Sequence, residues 1–140
     1  MTTATLGQLI DHHGVDVLDH LDRDLEVPVN TGLQFQGDLA VIPTGAASPP
    51  AGDGARVPAE GIPVIEAIAG GHEHRLLAGT PGTATFTPAT GTGGQDIGVL
   101  HCTEPAFLAH PEHGYLGVAP GSYVLRRQRE QADEERLIAD

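Results

Sequence analysis

The sequence predicts a mainly β fold, an antiparallel barrel, roll or sandwich that follows an N-terminal helical segment. Three observations lead there. Gly (19) and Pro (11) are abundant and cut the chain into short runs. Beyond about residue 25, apolar positions alternate with polar ones or form brief solid runs, as in LAVIP (39–43) and TATFTP (83–88). No helical crossover of about a dozen residues separates these runs, which argues against a parallel α/β sheet.

Each element follows in chain order. Residues 5–22 carry Leu6, Leu9, Ile10, Val17, Leu18 and Leu21 at helical spacing, with Thr5 placed to cap the start. Gly14 is a weak point that would split the segment into two short helices. His12, His13 and His20 fall among its polar positions. Leu33 and Phe35 alternate with Gln34 and Gln36, and QGD (36–38) reads as a bend into the buried strand LAVIP. SPPAGDGARVPAEG (48–61) is a loop on composition. IPVIEAIAGG (62–71) and HEHRLLAG (72–79) return to strand character. Thr83, Thr85 and Thr87 alternate with Ala84, Phe86 and Pro88, giving a strand with one polar face. IGVLHCTE (97–104) is a further strand. Residues 106–130 then read as strand, turn, short strand, Pro120-Gly121 hairpin turn and strand. The chain so divides into a helical segment (1–24), an antiparallel β domain (25–130) and an acidic tail (131–140).

The bulk numbers narrow the function. A 140-residue chain with 39% hydrophobic residues suits one domain with a real core. The net charge is −12 and lysine is absent, so nucleic acid is an unsuitable partner. Cys102 is alone, which excludes an intrachain disulfide framework. With no signal-like start and no long apolar run, the expectation is a cytoplasmic protein without a membrane partner. A homo-oligomer or a protein partner remains open.

Two histidine clusters stand out. His72 and His74 are two apart, so on a strand both rings share a face, while Glu73 and Arg75 point the other way. His110 and His113 flank Pro111-Glu112, where a turn can bring both rings to one side. Imidazole nitrogens in this number suit a divalent metal ion: zinc first, with iron, manganese or nickel as other occupants. His72, His74, His110 and His113 are the candidate ligands. Glu112 and Glu104 are the candidate acid–base or supporting carboxylates. Two other readings stand beside this one. The histidines are half-exposed strand and turn residues, or they form a metal-free cluster that titrates near neutrality.

The HxH pair followed by a later histidine resembles the metal-binding half of a cupin-type β-barrel. That resemblance implies His72 and His74 as paired ligands and His110 or His113 as the later one. It departs from the cupin pattern at Ala78 and Gly79, where a glutamate is expected, and in placing Pro120-Gly121 after the histidines. The stretches GHEHRL and HPEHGYLGVAPGSYVLRRQRE are also similar to small uncharacterised bacterial and phage-associated proteins, a likeness that implies no activity. SYVLRRQRE (122–130) concentrates Arg126, Arg127 and Arg129, which either neutralise acidic neighbours or clamp an anion. The functional expectation is a small divalent-metal-binding β-barrel protein of unassigned reaction. The alternative is a non-enzymatic structural or protein-interaction module without metal.

Overall fold

The structure is a computed structural model, and it describes residues 4–15, 26–45, 54–65, 73–89 and 96–127. Helix α1 spans Leu6–His13. Thr5 starts it through a reciprocal capping box. The Gln8 N–H donates to Thr5 Oγ1 (3.2 Å), and the Thr5 N–H donates to Gln8 Oε1 (2.9 Å). Gly14 ends it in the left-handed region at φ 78°, with its N–H on Ile10 O at 2.7 Å. Gly14 is therefore a stop. The second expected helix lies outside the described residues.

The strands are β1 (Ala4–Thr5), β2 (Glu26–Val27), β3 (Val29–Asn30), β4 (Gln34–Gln36), β5 (Leu39–Pro43), β6 (Ala55–Arg56) and β7 (Ile62–Ile65). They continue as β8 (His74–Ala78), β9 (Ala84–Pro88), β10 (Asp96–Cys102), β11 (Ala106–His110), β12 (Gly114–Val118) and β13 (Gly121–Arg127). β1 pairs with β2 alone. One large sheet runs β4-β5-β13-β10-β9-β6 and the other runs β3-β12-β11-β8-β7.

The mainly β class with a short N-terminal helix holds, but the barrel does not. Both large sheets are open, ending at β4 and β6 and at β3 and β7. Nor is the pairing wholly antiparallel, because β3 runs parallel to β12. Pro120-Gly121 is not a hairpin turn either. β12 belongs to the five-stranded sheet and β13 to the six-stranded one, so these residues carry the chain from sheet to sheet. A Pro-Gly pair specifies a change of direction, and the partners of the flanking strands decide what that change accomplishes. The 48–61 segment, expected as loop, contains β6, which pairs with β9 at Ala55↔Phe86 and Arg56↔Thr85.

Alternation decides what each strand buries. Leu39, Val41, Leu100, Tyr123 and Leu125 of the six-stranded sheet share one core with Leu76, Ala106, Leu108 and Val118 of the five-stranded sheet. The other face of the five-stranded sheet presents Leu77, Phe107, Ala109 and Tyr115, and Leu6, Leu9 and Ile10 of α1 pack on it. Tyr115 also donates its hydroxyl to Val15 O (2.8 Å) just past the helix end. The outer face of the six-stranded sheet is more open. Ile42, Val124 and Val99 lie side by side there, each half-buried.

Candidate functional site

His74 and His110 occupy core-facing positions at one end of the five-stranded sheet. His74 follows the alternation of Leu76 and Ala78, and His110 that of Leu108 and Ala106. The register Ala109↔Arg75 makes the two histidines cross-strand neighbours, and both are buried. Their ring centroids are 4.4 Å apart. His113, in the turn between β11 and β12, stands 4.6 Å from His110 and 6.4 Å from His74. Three of the four expected histidines are therefore brought together, while His72 lies outside the described residues.

The partners of His74 come from the facing sheet. Gln36 points inward from β4 and is buried. Its amide nitrogen donates to Leu108 O (2.9 Å) and Gly114 O (3.0 Å), so its oxygen must face His74 Nδ1 at 2.9 Å. Asp38, in the turn between β4 and β5, places Oδ1 3.0 Å from His74 Nε2. Arg127 Nε approaches its other oxygen at 3.3 Å. Burial pulls the His74 imidazolium below its ordinary value, and Asp38 opposes that shift through its charge and hydrogen bond. His110 is committed differently. Its Nδ1 accepts from the Glu112 N–H (3.1 Å) and the His113 N–H (3.3 Å), so that nitrogen carries a lone pair and the proton sits on Nε2.

These bonds overturn the metal reading. Both His74 nitrogens face hydrogen-bond partners, and His110 Nδ1 is held by two main-chain amides. Among the described residues no group of three or more His, Cys, Asp or Glu side chains is arranged to hold a metal ion. The spacing of the histidines was informative about proximity, but sequence does not show where each lone pair points. Glu112 supplies its main-chain N–H to His110. Glu104 lies beyond Ala106, the opposite end of β11, which is itself roughly 13 Å along the strand from His110 at ~3.3 Å per residue.

Gln36 and Asp38 were missed as site residues. The alternation of residues 33–36 hid Gln36, because it gives the glutamines the polar positions, whereas the structure buries Gln36 and leaves Leu33 and Phe35 exposed. The arginines of the last strand take the neutralising role. Arg126 pairs with Asp96 at 2.7 Å and Arg127 with Asp38, while Arg129 lies outside the described residues.

Beside this cluster is a second feature. Leu33 (56% exposed) and Phe35 (53%) are the large exposed hydrophobic side chains among the described residues. β4, which carries Phe35, is a sheet edge. A groove of about 310 Å³ adjoins it, lined in part by Val27, Pro28, Phe35, His113, Tyr115 and Gly117. Gln34 crosses beside it, donating to Gly117 O at 2.9 Å.

Fold and site together define an open, mainly β protein, with a hydrogen-bonded polar cluster between two sheets and an apolar edge next to it. Residues 35–128, more than half of the chain, match the model of a domain of unknown function, DUF8820, and the chain belongs to that family. No curated protein and no solved structure matches it. The cupin resemblance is corrected by the open sheets and the committed imidazoles, and the family match replaces both likenesses drawn from the sequence. No helix among the described residues is long and apolar enough to cross a membrane.

Proposed function

We propose that this protein is a non-enzymatic protein-interaction module, a component of an assembly that docks through the β4 edge. The observation that carries this reading is the pair Leu33 and Phe35, each more than half exposed, at the start of and on an edge strand beside a groove of mixed polar and apolar lining. Exposed apolar residues that are contiguous and placed beside a groove favour contact with another protein. An unpaired edge strand also offers main-chain donors and acceptors to an added strand. The net charge of −12 favours a partner with a neutral or basic contact surface and disfavours close self-association.

The test is comparative affinity capture from native cells with the intact chain and an L33S/F35S variant. The expected result is a defined partner retained by the intact chain and reduced at least about tenfold by the variant, a loss of about 1.4 kcal/mol in binding. The variant's melting temperature should be unchanged. Equal recovery of every partner by both proteins would reject the β4 edge as the docking surface.

A further inference from the structure

We infer that His74, Gln36 and Asp38 form a proton-dependent latch between the two sheets, closed when His74 carries a proton on both ring nitrogens. The inference is independent of what docks at β4.

It follows from hydrogen-bond polarity. The Gln36 amide cannot be flipped. Its nitrogen faces two main-chain carbonyl oxygens, Leu108 O and Gly114 O, which only accept. Gln36 Oε1 is therefore an acceptor, and His74 Nδ1 must donate to it across 2.9 Å. On the other side of the ring, Asp38 Oδ1 lies 3.0 Å from Nε2. The Arg127 guanidinium donates toward the second Asp38 oxygen, and a carboxylate only accepts. Both contacts are satisfied together when the ring is imidazolium.

A neutral ring has one N–H and satisfies one of them. Keeping Gln36 turns the Nε2 lone pair on the Asp38 carboxylate. Keeping Asp38 turns the Nδ1 lone pair on Gln36 Oε1. The first outcome is the less disruptive, because Asp38 sits in a partly exposed two-residue turn with Gly37, whereas Gln36 is locked to two carbonyls. Proton loss therefore frees the Gly37-Asp38 turn.

Every charged or titratable group facing the ring enters the balance. Asp38 attracts the proton. Arg127 behind it and His113 across the cluster repel it. His110, in ring contact, presents no further donor from Nδ1, which is held by two main-chain amides. With burial as the largest influence, closure falls on the acid side of 6.5.

The test is NMR of the uniformly ¹⁵N-labelled intact chain across about pH 4.5 to 8.5, about two units either side of an ordinary imidazole. It follows the His74 ring nitrogens and the Gly37 main-chain amide. Below the midpoint both ring nitrogens should carry protons, and the Gly37 signal should shift with the same midpoint. Asp38→Asn should abolish that shared shift, because an asparagine amide can donate to the neutral ring's Nε2. A His74 ring that remains a single neutral tautomer throughout would overturn the latch. So would a Gly37 signal that ignores the His74 midpoint, or one that still follows it in Asp38→Asn.

Discussion

Gln36 is the residue on which the polar cluster depends. One side chain satisfies two carbonyls of the opposite sheet and holds His74 in place. Gln36→Leu has similar bulk but leaves those groups without their partner. Each buried polar group so orphaned costs about 1–3 kcal/mol. Urea unfolding should show a loss of at least that size, together with release of the His74 ring from its fixed tautomer. His13 is a second instructive residue. Its ring lies against Phe107 and Tyr115, its Nε2 is buried with no hydrogen-bond partner among the described residues, and burial and His12 both hold its pKa below 6.5. The unfolded chain then binds the proton more readily than the folded one. His13 accordingly contributes stability that is present above pH 6.5 and lost as pH falls through its lowered folded value. Burial gives His74 the same sign, so acid that closes the latch also lowers global stability. His13→Phe should flatten the acid limb of a plot of urea midpoint against pH. An unchanged acid limb would exclude His13 from that response.

At the scale of elements, much was legible in the sequence. Thr5 and the spacing of Leu6, Leu9 and Ile10 marked the helix. The alternation of TATFTP marked β9, and the QGD bend marked the turn between β4 and β5. These features are local, fixed by caps, turns and periodicity within a few residues. What was not legible is which strands meet. Val29-Asn30 has no local sign that it will run parallel to β12, and Pro120-Gly121 reads the same whether its flanking strands pair or part. Pairing depends on long-range contacts such as the approach of Pro28 to β12. There, a Cβ on Gly117 would stand 2.5 Å from Pro28 O, a main-chain atom that yields little. Gly117→Ala should therefore loosen β3 from β12 at a cost of about 1–3 kcal/mol. Amide exchange at Ala119, whose N–H donates to Asn30 O at 3.0 Å, would report it.

At the scale of the whole molecule, one side of the fold is covered and another is left open. Helix α1 covers the outer face of the five-stranded sheet, while Leu33 and Phe35 at the edge of the other sheet stay exposed. The histidine clusters drew attention in the sequence because paired imidazoles carry a recognisable chemical signature. The docking edge did not, because an exposed leucine or phenylalanine looks in sequence like any core residue of an alternating strand. Only the three-dimensional position of β4 at a sheet edge separates the two. The most direct measurement of the docking proposal is site-specific photo-crosslinking in native cells. A photoreactive phenylalanine would replace Phe35, and the same group at exposed Thr80 would serve as control. A discrete protein adduct formed from position 35 and absent from position 80 is the expected result. No adduct at position 35, or the same adducts from both positions, would contradict docking through the β4 edge.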